Sequence, residues 1–240
     1  MLSSSYRWIT AALLAAGPWQ VAHAGVVTLT FEGAGNLAAL QGFYGGATDS
    51  QGNAGPDLGV QFGDTALAIV DEDVPGKNGV PNTGNFGNEP SPDTVLFFLD
   101  GLALLNYAGG FRDGFSFFYS STTWSGVVSV YDEVDAGGTL LGTIPLEPLG
   151  EGMGDPTGSY NRWQGAGLAF DGIARSVAFG GTADRIAFDN VTFGAATPTQ
   201  TPVPAQTVAE PSTLALCGLA LLGTVLVWRR NASANRVGHQ

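Results

Sequence analysis

Histidine and cysteine are almost missing from this chain. Its 240 residues hold two histidines, His23 and His239, and one cysteine, Cys217, all near the ends. The long middle therefore excludes serine–histidine–acid and cysteine–histidine catalysis, and any histidine-bearing zinc site. Bases are scarce as well. Between Gly25 and Glu210 the 21 acids face 5 bases (Lys77, Arg112, Arg162, Arg175 and Arg185), so this stretch carries net −16. A surface of that sign repels phosphate backbones, which excludes nucleic acid as a partner. No glycine-rich phosphate loop leads into a helix, and no segment of helical period appears before Leu214.

What the middle does have is glycine, 36 in the chain, and short apolar runs between them within a 44% hydrophobic composition. That pattern reads as all-β and is too apolar for disorder. Val26 to Glu32 alternates, with Val27, Leu29 and Phe31 on one face. Further strands are expected at 59–62, 66–70, 94–99, 115–120, 127–131, 139–144, 173–179 and 185–193. Thr94 to Leu99 is apolar on both faces, as a central strand is. The 127–131 and 139–144 runs suit a hairpin. Long loops are expected at 33–57, 71–92 and 149–165. About ten short strands at this spacing indicate a jelly-roll-like antiparallel β-sandwich over 25–194.

The ends read differently. Arg7, then the apolar run Trp8 to Ala16, then Ala22-His23-Ala24 make a signal peptide over 1–24, with cleavage before Gly25. Residues 195–209, rich in Ala, Thr, Pro and Gln, make an extended tether. Glu210-Pro211 follows, then an uncharged run to Trp228, then Arg229-Arg230. The run suits one transmembrane helix over 212–228, with the arginines holding its end, and the tail 231–240, in the cytoplasm.

This order of parts resembles the PEP-CTERM sorting signal of Gram-negative bacteria. Glu210 and Pro211 match the end of its motif, Arg229 and Arg230 its basic cluster, and the signal spans 210–230; Ala209 stands where the first proline is usual. The resemblance implies recognition by an exosortase, cleavage near the motif, and delivery to the cell surface or an exopolysaccharide matrix. A plain C-terminal membrane anchor is the alternative. The stretches Asn85 to Pro92, Gly114 to Tyr119 and Asp189 to Phe193 are similar to a recurring β-sandwich ectodomain of such proteins.

Hard oxygen donors form the remaining thread. Along 186–193 the apolar spacing slips from two to three, which places a bulge at Asp189-Asn190. With the first and last strands adjacent, Glu32, Asp189 and Asn190 would meet and could hold structural Ca²⁺. This resembles the calcium site of many carbohydrate-binding β-sandwich modules. The alternative is that the pair simply bonds the bulged backbone. Asp71-Glu72-Asp73 is a second acidic run. Trp124 and Trp163 are sugar-stacking candidates or core plugs. The expected function is therefore an exported, non-enzymatic surface or matrix protein that binds exopolysaccharide. A purely structural or adhesive component and a carboxylate-based polysaccharide hydrolase are the alternatives.

Overall fold

The computed structural model describes residues 25–152 and 158–199. Among them are eleven strands and a single 3₁₀ turn at Lys77–Gly79. The strands are β1 (Val27–Leu29), β2 (Val60–Phe62), β3 (Ala66–Val70), β4 (Thr94–Phe98), β5 (Ala103–Phe111), β6 (Phe115–Ser120), β7 (Gly126–Tyr131), β8 (Leu140–Leu146), β9 (Gln164–Leu168), β10 (Ala174–Gly181) and β11 (Ala187–Phe193). They form two antiparallel sheets. One runs β3-β4-β11-β6-β9, with β1 also on β11; the other runs β2-β5-β10-β7-β8. This is the all-β sandwich expected.

Alternation places the core between the sheets. Phe115, Phe117 and Tyr119 of β6 face inward with Phe188, Val191 and Phe193 of β11, and meet Phe111 and Phe179 from the opposite sheet. The rings pack edge to face, Phe179 on Phe188 and Phe111 on Phe193, both at 4.9 Å. Each fully buried phenylalanine contributes about 1.5–3 kcal/mol of transfer free energy. β4 is buried at all five positions, since its outer face lies under a long loop. The expected hairpin is the β7–β8 pair, and the first strand does pair with the last.

Two strands stand where no strand was expected. β5 carries Gly109-Gly110 before its last residue, a pair that reads as a turn, yet the strand lies between β2 and β10. β9 contains Gly165 and Gly167 and falls partly within the expected 149–165 loop. Its glycines have a reason. A Cβ on Gly167 would sit 2.1 Å from the Ala196 carbonyl, and one on Gly165 would sit 3.0 Å from the Pro198 ring. The first residues after the sandwich, 195–199, run over this sheet as a strap. Ser116 donates its hydroxyl to the Ala195 carbonyl at 2.8 Å, and Asn190 donates its amide to the Thr199 carbonyl at 3.0 Å. This start of the Pro/Thr-rich stretch is thus fastened to the domain.

The 31–59 loop is packed rather than loose. Leu40, Phe43 and Tyr44 enter the core, and the loop backbone bonds along β3 through Leu40 N to Ala66 O and Ala68 N to Ala38 O. It thereby covers the outer edge of β3.

Candidate functional site

β6 takes one edge of β11 along its length, so β1 and β4 share the other. β1 pairs at Val191 to Phe193 and β4 at Phe188. Between them β11 carries its bulge, with Asp189 opposite Phe118 and Thr192 opposite Ser116. The slip in apolar spacing has this cause. Asn190 takes a left-handed φ of 46°, and Phe31, where β1 departs, takes 65°. Both are costly for non-glycine residues and are held by their surroundings. Phe31 donates its N–H to the Tyr44 hydroxyl at 2.6 Å.

The opening left between β1 and β4 is an acidic notch. Asp189 is wholly buried there. It accepts from the Ser91 N–H and the Ser91 hydroxyl, both at 2.7 Å, and from the Asn190 N–H at 2.6 Å. Glu32 accepts from the N–H groups of Asp93 (3.1 Å) and Thr94 (3.0 Å). Burial pushes the Asp189 carboxyl up to about 7; the Ser91 and Asn190 bonds oppose this, and the Glu32 charge adds to it. Burial likewise raises Glu32. Glu89 is pushed up to about 7, first by burial, then by the charge of Asp71 and a side-chain hydrogen bond with it. Glu32, Glu89 and Asp189 thus have their charged forms disfavoured first by desolvation, with Asp71 adding its charge beside Glu89.

The structure brings Glu32 and Asp189 together around Ser91. The Asn190 amide has a separate partner, Thr199, and its Oδ1 is buried with no hydrogen bond. Neither Asp189 nor Asn190 faces solvent. Of the acidic run, Asp71 is buried beside Glu89, while Glu72 and Asp73 are exposed. The oxygen donors suit a hard cation in kind. In number they fall short, and among the described residues no group of three acid, histidine or cysteine side chains is arranged to hold a metal ion. Asp71 belongs to the acidic run and Glu89 and Ser91 to the 85–92 stretch, but nothing in the sequence links them to Asp189; only the fold gathers them.

The second feature is a groove of about 240 Å³ on the outer face of the β1-containing sheet. Ile69 and Phe97 form its floor; Asn85 and Tyr160 make one wall, Asp184 and Arg185 the other. The first wall is built by pairing two loops. Tyr160 N–H bonds the Asn85 carbonyl at 3.1 Å, Ser159 N–H bonds Asn85 Oδ1 at 2.9 Å, and the Trp163 indole N–H bonds the Gly87 carbonyl at 3.0 Å. Trp163 is half-buried and packs behind this wall with Phe86 and Val95. Trp124 is 44% exposed in the β6–β7 loop, and is not among the residues that line the groove. Gly25 is the first residue described. Ala22, Ala24, Glu210, Pro211, Arg229, Arg230 and the span 212–228 lie outside the described residues. Among those described, no helix is long and apolar enough to cross a membrane.

Residues 207–231 match the family described as the PEP-CTERM protein-sorting motif. That motif indicates export and sorting. No curated protein matches the chain. Among solved structures, it is similar to a family 6 carbohydrate-binding module (16% identity, 55% of this chain and 83% of that one, TM-score 0.33). It is also similar to the module CBM6cm-2 of Cellvibrio mixtus lichenase 5A, solved with cellotriose (15%, 54% and 96%, TM-score 0.33). A third is the C-terminal CBM6 of LamC from Zobellia galactanivorans (15%, 54% and 99%, TM-score 0.32). A likeness this distant transfers no ligand.

Proposed function

We propose that this chain is an exported protein whose sandwich works by binding rather than turnover. An exosortase processes it at the Glu210-Pro211 end, and the product stays at the cell surface or enters the surrounding exopolysaccharide, which it binds. The observation that carries this reading is the sorting motif at 207–231 behind a closed acidic sandwich. The middle of the chain supports it by offering no histidine or cysteine nucleophile or base. Glu32 and Asp189, the best-placed acids, are tied to backbone N–H groups and Ser91 rather than facing a cleft together. Mass spectrometry of the protein recovered from its host tests the route: mature ends near Gly25 and Glu210 are expected, and an intact 240-residue product would refute it. Cosedimentation with the host's own matrix polysaccharide tests the binding, and release of reducing ends would favour the hydrolase instead.

Calcium is a second part of the proposal. Glu32 and Asp189 would be its acidic ligands, with the Thr30 carbonyl beside them, and Ser91 would have to give up its bonds to Asp189. A cation there would offset the desolvation and mutual repulsion that raise these carboxyls. Its effect would be structural, joining β1 and β11 to the loop that enters β4.

A further inference from the structure

The geometry points to the groove over Ile69 and Phe97 as a site for an uncharged glycan, bound through vicinal hydroxyls at its rim. This rests on the proposed binding of exopolysaccharide and adds to it the place and the class of sugar. The groove is small, about 240 Å³, below the roughly 300–1,000 Å³ of sites for drug-sized ligands. Its floor is apolar: Phe97 is 5% exposed and Ile69 half-buried. The half-buried Tyr160 ring stands at one side. Such a floor suits the C–H face of a sugar ring.

The rim supplies complementary polar groups. Arg185 is exposed and makes no ion pair or hydrogen bond among the described residues, so its five N–H donors are available. Asp184 beside it is acceptor-only and exposed; its backbone is pinned by an N–H bond to the Phe98 carbonyl at 2.7 Å. Across the groove, Asn85 has its Oδ1 fixed by the Ser159 N–H, which leaves its NH₂ to donate. One cation, one anion and one amide sum to no charge. Adjacent hydroxyls both donate and accept, and so fit such a rim. A carboxylated polymer would meet Asp184 and a −16 body. A peptide adding as a strand is shut out, because the 38–40 backbone already occupies the outer edge of β3.

The test is affinity electrophoresis of the full chain in gels holding dextran, hydroxyethylcellulose, alginate or the host's exopolysaccharide. Expected is retardation by at least one neutral polymer and none by alginate. Arg185→Ala and Tyr160→Ala should each weaken the retarding interaction about tenfold, as loss of a charged hydrogen bond or a ring contact does. Arg185 is exposed, so its variant should keep the wild-type melting temperature, and Leu140→Ala, at an exposed position of the other sheet, serves as a control that leaves retardation unchanged. Retardation that survives both groove variants would overturn the site while leaving the broader binding reading intact. Retardation by alginate alone would overturn the uncharged class. No retardation by any polymer, the host's included, would overturn both.

Discussion

Asp49 and Asp189 are both nearly sealed from water, yet their surroundings shift the two carboxyls in opposite directions. Asp49, at 3% exposure, accepts from the N–H groups of Gly35, Gln51 and Asn53 and from the Asn53 amide, all at 2.8–2.9 Å. Burial alone would raise its carboxyl, but the Asn53, Gly35 and Gln51 bonds outweigh it and hold it below its usual value. Asp189 has three such donors and is pushed up to about 7. The difference is depth and company: Asp189 is wholly buried and shares its notch with Glu32 and Glu89, whereas the groups acting on Asp49 are all donors. Hydrogen bonds stabilise a buried charge only when they exceed its desolvation and the repulsion of its neighbours.

The sharpest way to break this contrast is to remove each carboxylate. Asp49→Ala strips four donors of their shared acceptor and should cost roughly 2–4 kcal/mol in chemical denaturation. Asp189→Asn removes a charge the site disfavours but sets its NH₂ against the Ser91 or the Asn190 N–H, so at pH 8 without calcium the two effects oppose and it should cost less than Asp49→Ala, under about 2 kcal/mol. Equal losses would mean that the two aspartates do the same job.

The pH profile comes next. A carboxyl raised in the folded state leaves the fold with more bound protons than the unfolded chain, so stability falls as pH rises from about 4 through about 7. Asp49 works the other way: its contribution is present above the ordinary carboxylate range and is lost as pH falls through its lowered value. Melting temperature should therefore peak near pH 4 and lie several degrees lower at pH 8. Glu89→Gln should flatten the alkaline limb and leave the acidic limb alone. A profile that rises steadily to pH 8 would contradict the assignment.

Calcium sharpens the comparison from the other side. At millimolar calcium the melting temperature should rise a few degrees, more at pH 8 than at pH 6, because binding requires ionised carboxylates. Asp189→Ala should abolish the rise and Asp49→Asn should not. Tyr44→Phe removes the acceptor for the Phe31 N–H and should cost about 1 kcal/mol with no change in the calcium response.

Much of the sandwich is legible in the chain because alternation is local. Phe115, Phe117 and Tyr119 share a face, and the run 94–98 shows by its apolar residues that both its faces are covered. The bulge at Asp189-Asn190 is legible for the same reason, since one extra residue shifts the phase of Ile186, Phe188, Val191 and Phe193. β5 and β9 are not legible. Their glycines signal turns, whereas in β9 they make room for a strap that only the folded chain brings near. The notch is half legible: Glu32 and Asp189 follow from adjacent end strands, but Ser91 and Glu89 arrive on a loop with no periodicity. The groove is not legible at all, because Asn85, Tyr160 and Arg185 come from three separate segments and share no spacing.

The strap has a mechanical consequence. Any pull on the C-terminal side of residue 199 first strips the Thr199 and Ala195 bonds and then loads β11. That strand is flanked on one side by β6 and on the other by β1 and β4, so tension enters the most heavily braced element of its sheet. A domain attached this way sheds drag through the middle of its framework, and its exposed margins bear none of it.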